Sequence, residues 1–200
     1  MHLFIVYSFI FLNSAVAELY ILPNVLSNAT VTPEFTSNSY GLDGPKVLPL
    51  NGTSFDWWYF DVVSTSTPNV SIVIQFTEAS TTALALAGGN PAFSVTLSAS
   101  FENGTAFSLP IASAPESSVV ISQLGAGASG IWESTGFSFY GAPDLSTYEI
   151  VINAPSHNIF GTLRLTSVCV YLPKFIYSSS SGDSRLRNLA DCSRLLPLWS

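Results

Sequence analysis

The chain has 200 residues, of which 6 are Lys or Arg and 13 are Asp or Glu, giving a formal net charge of −7 at pH 7. Nucleic-acid binding relies on clustered cationic side chains at the phosphates, so this balance argues against a nucleic-acid partner. Hydrophobic residues make up 48% of the chain and aromatic residues 13%, well above what a disordered chain carries. One folded domain with a sizeable core is therefore expected.

The first residues have the composition of a targeting segment. An apolar run over residues 3–12 is followed by an A-x-A site at residues 15–17. This pattern predicts a secretory signal peptide over residues 1–17, cleaved after Ala17, and hence a secreted protein. The run is too short to cross a bilayer, so no stable membrane anchor is expected. Because only His2 and the amino terminus supply positive charge ahead of the run, a buried N-terminal strand or helix is the alternative.

If the protein is exported, its Asn-x-Ser/Thr sequons and its two cysteines gain a functional interpretation. In a secreted eukaryotic protein, Asn-x-Ser/Thr sequons at predicted turns are glycosylation sites, whereas in a cytosolic protein they are chance matches. Cys169 and Cys192 could form a disulfide in an oxidising compartment, with free or intermolecular thiols as the alternative. The four sequons begin at Asn28, Asn51, Asn69 and Asn103.

Most of the chain follows a period-two pattern, which is typical of strands with one buried face. Turn residues separate the runs, and Asn103-Gly104 between two of them predicts a hairpin. Only residues 81–87 look helical. Short strands at this spacing indicate an all-β fold, an antiparallel sandwich or barrel. In chain order, the predicted strands cover residues 57–63, 71–77, 93–101, 106–109, 119–124, 137–140, 148–153 and 160–166.

The C-terminal segment differs in composition from the rest. Residues 18–161 contain eleven acids and one base, whereas the chain from Arg164 onward contains five bases and two acids. The segment also includes a run of four serines at 178–181, and residues 195–199 show no strand pattern. We therefore expect a β-domain over residues 18–167 and a divergent, poorly patterned tail over residues 168–200.

Familiar catalytic patterns are scarce. With the signal removed, His157 is the one remaining histidine, and an exposed turn residue is favoured over a partner for a nucleophile. The carboxylates show no metal-binding loop spacing, so no metal is expected. Gly125-x-Gly127-x-x-Gly130 matches the dinucleotide fingerprint, but a β-like stretch follows where that fingerprint requires a helix. We interpret this segment as a flexible glycine turn.

The aromatic segment 55–61 is the strongest candidate for a site. On a strand, Trp57, Tyr59 and Asp61 share one face, whereas Asp56, Trp58 and Phe60 share the other. A carboxylate beside aromatic rings on an inner face is costly unless it is hydrogen-bonded, and such a cost is typical of functional sites. The alternative is that the rings are core and both aspartates lie in water at strand ends.

Four short motifs connect the chain to a known family. They are Trp-Trp-Tyr-Phe-Asp at 57–61, Ser-Ile-Val-Ile at 71–74, Ser-Gly-Ile-Trp at 129–132 and Phe-Gly-Thr-Leu at 160–163. In this order they resemble fungal Diels–Alderase-like proteins, which are distantly related to the hydroxyneurosporene synthase (carotenoid hydratase) family. The resemblance extends over residues 31–167.

The resemblance implies a two-domain, lipocalin-like β architecture in which both domains enclose an apolar pocket. This chain corresponds to the N-terminal half, so a C-terminal β-domain is expected to be missing from it. The implied activity is that of an isomerase in secondary metabolism, which folds a linear polyene for intramolecular [4+2] cycloaddition. Such a reaction needs no cofactor, metal or nucleophile. Orientation alone can contribute about 7–11 kcal/mol to it.

The expected ligand is an apolar small molecule, a polyene or an isoprenoid-like compound. Trp58 and Tyr59 are assigned to its pocket through the family motif, and Asp56 and Gln75 through strand alternation. No catalytic residue is assigned. One alternative is a truncated, inactive member of the family, and another is a secreted lipocalin-like binder without catalysis. A third is an isoprenoid hydratase that uses Asp56 or Asp61 as its acid.

Overall fold

The computed structural model describes residues 17–35, 40–79, 83, 93–109, 112–122, 125–167 and 195–197. These residues form fourteen strands and one short 3-10 helix, Pro155–His157. Every pair of neighbouring strands is antiparallel, so the predicted all-β, antiparallel class is confirmed. Within the described residues, no helix has the length and apolar character that a membrane crossing requires.

The larger sheet has seven strands and is built mainly by a meander of consecutive strands with short turns. In spatial order the strands are β1 (Ala17–Pro23), β9 (Glu116–Ser122), β10 (Ala128–Trp132), β11 (Phe137–Gly141), β12 (Thr147–Ala154), β13 (Ile159–Ser167) and β14 (Leu195–Pro197).

The smaller sheet has five strands, and β4 forms one of its edges. The spatial order is β4 (Phe55–Val63), β5 (Ser71–Ala79), β6 (Phe93–Ser100) and β7 (Ala106–Ser108), with β8 (Ala112–Ser113) also paired to β6. A separate two-stranded ribbon joins β2 (Thr32–Pro33) to β3 (Val47–Leu48).

The two sheets meet in one aromatic core. The Phe76 ring of β5 lies 4.9 Å from the Trp132 ring and 5.2 Å from the Phe139 ring, both from the larger sheet, measured between centroids. All three side chains are at most 1% exposed. Because the inner faces interdigitate in this way, the fold is a two-sheet sandwich. Strand pairing among the described residues does not close either sheet into a barrel.

All eight predicted strands are confirmed, with ends that differ by at most three residues. The predicted hairpin joins β6 to β7. Gly104 adopts a φ of 78° at its tip, a conformation that favours glycine. The sequence analysis missed β1, β14 and the two-residue strands, and it indicated β10 only as a β-like stretch after the glycine segment. In β1, large apolar side chains such as Leu19 and Ile21 occupy the exposed face, which removes the polar alternation that marks a strand.

The glycine-rich segment is packed tightly, so its interpretation as a flexible turn is wrong. A Cβ on Gly127 would lie 2.1 Å from the carbonyl oxygen of Ala142, and one on Gly125 would lie 2.4 Å from Pro143. Gly130 is inside β10, where a Cβ would lie 2.6 Å from the Phe139 ring. These glycines permit close approach, and strand β10, which contains Gly130, lies where a dinucleotide site would require a helix.

The C-terminal segment supplies one strand that we did not expect. Residues 195–197 form β14, which pairs with residues 165–167 at the edge of the larger sheet. Pairing at a sheet edge uses backbone groups and does not require alternating side chains. The hydrophobic pattern of the sequence therefore did not indicate this strand. Residues 1–16 of the predicted signal peptide 1–17 lie outside the described residues, as do Cys169 and Cys192. The predicted helical stretch 81–87 also lies outside them apart from Ala83.

Candidate functional site

A cleft of about 430 Å³ opens along β4, the edge strand of the smaller sheet. This volume is within the usual range for sites that bind small organic molecules. Its walls come from β4, from the loop at residues 41–46 and from the facing strands β12 and β13. The lining residues are Leu42, Asp43, Trp57, Trp58, Tyr59, Phe60, Asp61, Leu145, Tyr148, Leu165 and Ser167.

Alternation along β4 builds an aromatic wall with two levels of exposure. Trp58 and Phe60 point into the sandwich and are 5% and 9% exposed, whereas Trp57 and Tyr59 are 46% and 53% exposed at the rim. The Trp58 ring packs edge-on against Trp132 with a centroid distance of 5.6 Å. Such contacts fix the inner rings in place, so the wall presents a rigid apolar surface to a ligand.

A carboxyl group lies beside this wall. The Tyr148 hydroxyl donates a hydrogen bond to Asp43 Oδ2. The backbone of Asp43 is held at both ends, since its N–H donates to the Ala126 carbonyl at 2.9 Å and its carbonyl accepts from Trp58 Nε1 at 2.8 Å. Each of these bonds joins the loop to a different strand or turn, so the carboxyl group has a defined position in the cleft.

Burial raises the pKa of Asp43 above its ordinary value. The hydrogen bond from Tyr148 and the positive charge of Lys46 oppose this shift, whereas the negative charge of Asp56 adds to it. Burial and the neighbouring carboxylate of Asp43 also raise the pKa of the Tyr148 hydroxyl, which therefore remains a proton donor in its hydrogen bond. The pair combines a carboxyl whose pKa is raised with a hydroxyl that donates to it, and both are groups that can take part in acid catalysis.

Asp56 fixes the loop that carries Asp43. Its Oδ2 accepts the backbone N–H of Lys46 at 2.7 Å, and its Oδ1 accepts the N–H of Trp57 at 2.9 Å. Lys46 Nζ in turn donates to the Gly41 carbonyl at 2.5 Å, which closes the loop on itself. Desolvation raises the pKa of Asp56, and the two backbone hydrogen bonds oppose that shift. The contacts of Asp56 are thus with the protein backbone.

The structure divides the four predicted pocket residues between different environments. Trp58 and Tyr59 line the cleft. Asp56 lies on the inner face of β4 and binds the loop. Gln75 lies on the outer face opposite Tyr59 in the β4–β5 register and donates to Thr77 Oγ1 at 3.1 Å. The two sets of side chains alternate as predicted, and the structure shows which set is inside: Trp58 and Phe60 are in the core and Asp61 is exposed.

Sequence reasoning missed Asp43 and Tyr148. Tyr148 begins a predicted strand and was counted as a strand residue only. Asp43 is in a Gly-Leu-Asp-Gly-Pro segment at 41–45, which reads as an ordinary turn. The two residues are 105 positions apart, and only the packing of the loop against β12 brings them together.

The other residues singled out in the sequence lie away from the cleft. His157 is exposed at the end of the 3-10 helix, between two strands as predicted. In the sequons at Asn51 and Asn103, the Asn Oδ1 accepts hydrogen bonds from the N–H and hydroxyl of Thr53 and Thr105 respectively. Among the described residues, no group of three or more His, Cys, Asp or Glu side chains is arranged to hold a metal ion.

One buried acid lies outside the cleft. Glu78 of β5 is 0% exposed, faces Asp56 in the strand register and accepts a hydrogen bond from the Ser117 hydroxyl at Oε1. Its Oε2 has no hydrogen-bond partner among the described residues. Burial raises the pKa of Glu78 to about 8. The group therefore carries its proton at neutral pH.

Fold and site together define a class: an antiparallel β-sandwich with an aromatic-walled, acid-bearing cleft. More specifically, the chain belongs to the Diels-Alderase-like family, whose family model matches residues 23–193. The resemblance that the four sequence motifs indicated is thereby confirmed.

Two curated fungal proteins are similar to the chain. Quinolone epoxide rearrangement protein asqO of Emericella nidulans is 37% identical over 147 residues, which are 73% of this chain and 40% of that protein. Quinolone epoxide rearrangement protein penF of Penicillium thymicola is 33% identical over 159 residues, which are 76% of this chain and 43% of that protein. The chain thus spans about two-fifths of the length of these relatives.

Proposed function

We propose that this chain carries the site for an intramolecular rearrangement of a small, ring-containing molecule of fungal secondary metabolism, with a quinolone epoxide as the substrate class. The observation that carries the proposal is the Asp43 carboxyl, whose pKa is raised, bonded to Tyr148 beside the aromatic wall. The choice of substrate class rests on the names of the two similar proteins.

The Asp43 carboxyl is the group in the cleft that could serve epoxide opening, because burial shifts its pKa in the direction that favours the protonated form. An epoxide opens when its oxygen receives a proton as one C–O bond breaks, so the acid must still hold its proton near neutral pH. Tyr148 occupies Asp43 Oδ2, which leaves Oδ1 to deliver the proton. A substituent then migrates with its bonding pair to the electron-deficient carbon. The resulting protonated carbonyl returns its proton to Asp43, so the isomerisation consumes no co-reactant.

The aromatic wall suits the charge that develops. Positive charge on carbon is attracted to the faces of aromatic rings, an effect worth about 0.5–2 kcal/mol for each well-placed ring. Trp58 and Phe60 supply such rings in the lining of the cleft that also contains Asp43. Their apolar surface also limits the access of water, which would otherwise capture the carbocation and give a diol.

The test is turnover of a quinolone epoxide by the full chain, with products separated by chromatography and identified by mass. The proposal predicts an isomer of unchanged mass, formed faster than in buffer. Asp43→Asn should lower kcat roughly 100-fold or more with little change in KM, because the amide cannot transfer the proton. Asp144→Asn, on an exposed turn outside the cleft, is the matched control and should keep the wild-type rate. A product that forms equally fast without protein would contradict the proposal.

An intramolecular [4+2] cycloaddition of a linear polyene is the second candidate, favoured by family membership and by the same aromatic wall. In that reaction the cleft would fold the polyene, and the Asp43–Tyr148 pair would donate a hydrogen bond to an activating carbonyl. Because the cycloaddition transfers no proton, Asp43→Asn should lower its rate by less than about tenfold. The size of the Asp43→Asn effect therefore separates the two reactions. Saturable binding without product would identify a non-catalytic binder.

A further inference from the structure

A second concave surface lies between the two sheets. This groove encloses about 370 Å³ and shares no lining residue with the cleft. Leu97 and Phe107 of the smaller sheet face Ile152 and Ile159 of the larger sheet across it. Of its eleven lining residues none is charged, and one, Thr162, has a hydroxyl group.

Gly161 has no structural reason to be glycine. It lies on β13 between Ile159 and Leu163 and opposite Ile152 in the register. A Cβ at this position would meet no atom within 4 Å, and the backbone is not in the left-handed region. Glycine inside a strand weakens the strand and often marks a place where a ligand approaches. The effect of Gly161 is to leave the groove open.

The motif at 160–163 also points to this groove. Phe-Gly-Thr-Leu was one of the four motifs of the family resemblance, yet none of its residues lines the cleft. All four line the groove instead. The Phe160 side chain is 61% exposed, and that of Phe101 on the other sheet is 47% exposed. Both side chains line the groove, and apolar surface that remains exposed in this way is typical of a binding surface.

We propose that this groove binds the hydrocarbon chain of a small neutral molecule and that Gly161 keeps the space open for it. A polar or charged guest would lose its hydrogen bonds to water without replacement in this lining. A protein partner is disfavoured because eleven residues are about half the number that one side of a stable protein interface contributes. The volume is instead within the range of small-molecule pockets.

The experiment titrates the full chain with hexanol, octanol and decanol and follows the methyl NMR signals of Ile152 and Ile159. Saturable shifts are expected, with affinity rising about fourfold for each added methylene that is buried. Gly161→Val should weaken decanol binding by roughly tenfold or more, because two methyl groups fill the space. Thr147→Val, at an exposed position of β12, is the control and should bind decanol like the wild type. Unchanged thermal unfolding would show that Gly161→Val still folds.

Three results would overturn the proposal. One is wild-type affinity in Gly161→Val, and another is a decanol-induced shift of the Leu145 methyls in the cleft with none at Ile152. The third is a concentration-dependent dimer, seen by sedimentation, that decanol does not dissociate, which would identify a second copy of the chain as the occupant. The experiment measures binding without turnover, so its failure is separate from failure of the proposed rearrangement.

Discussion

Replacing Glu78 by Gln is expected to change how the stability of the sandwich depends on pH. Glu78 is buried between the sheets, with one carboxyl oxygen bonded to Ser117 and the other without a partner among the described residues. Burial raises its pKa to about 8 from an ordinary 4.5, opposed by the Ser117 bond and reinforced by the charge of Asp56. Folding therefore keeps a proton on this group that the unfolded chain releases.

The sign and size of the effect follow from that difference. Between pH 4.5 and about pH 8 the unfolded chain has lost the Glu78 proton and the folded chain retains it, so the free energy of unfolding falls as pH rises. Each pKa unit corresponds to about 1.4 kcal/mol, which gives a loss of about 5 kcal/mol over the whole interval. Above pH 8 both states are ionised and this contribution stays constant.

Glu78→Gln removes the titrating carboxyl group and leaves a polar side chain buried at the same position. The buried amide N–H₂ of Gln lacks an acceptor, which costs about 1–3 kcal/mol. The variant should therefore be less stable than the wild type near pH 5. It should be more stable than the wild type near pH 8.5, where the ionised Glu78 costs more than the amide. The two stability curves are expected to cross between these values.

Urea unfolding at half-unit pH steps, followed by tryptophan fluorescence, measures this crossing. Glu102→Gln on an exposed turn is the control and should keep the wild-type slope. A Glu78→Gln curve that runs parallel to the wild type from pH 5 to pH 8.5 would refute the reasoning, because it would mean that Glu78 does not hold a proton in the folded state.

Three further changes test other contacts. Gly130→Ala places a Cβ 2.6 Å from the Phe139 ring and should destabilise the fold by about 1–3 kcal/mol in urea unfolding; equal stability would show that this packing is loose. Tyr148→Phe removes the hydrogen bond that lowers the pKa of Asp43, so ¹³C NMR titration should give a higher pKa for that carboxyl, and a lower one would contradict the assignment. Trp58→Phe removes the indole donor at 2.8 Å from the Asp43 carbonyl and should cost about 1–3 kcal/mol by calorimetry, whereas an unchanged melting temperature would show that the carbonyl finds another donor.

The strands with one buried face could be predicted because period-two alternation leaves a direct record in the sequence. β4 is an example, since Trp58 and Phe60 are buried and Tyr59 is exposed, as its pattern requires. β1 left no such record because its exposed face is also apolar. Gly125 and Gly127 were interpreted wrongly because glycine is common both in flexible turns and where two segments pack closely. Only the contacts with Ala142 and Pro143 show that these two glycines permit close packing.

The site was predicted in part for a similar reason. The aromatic wall is local to one strand, so residues 57–61 could be identified from the sequence. The acid is not local, because Asp43 depends on a loop held by Asp56 and on a hydroxyl 105 residues away at Tyr148. Strand alternation grouped Asp56 with Trp58 and Phe60, and the structure places that group on the inner face. The pattern could not show that the carboxylate is occupied by backbone N–H groups.

The most direct test of the central claim is the crystal structure of the full chain with an unreactive quinolone in place of the epoxide. We expect the quinolone ring against Trp58 and Phe60, with a polar oxygen about 2.6–3.2 Å from Asp43 Oδ1, the range for proton transfer. A quinolone bound in the groove beside Gly161, or bound with Asp43 facing away from it, would contradict the account.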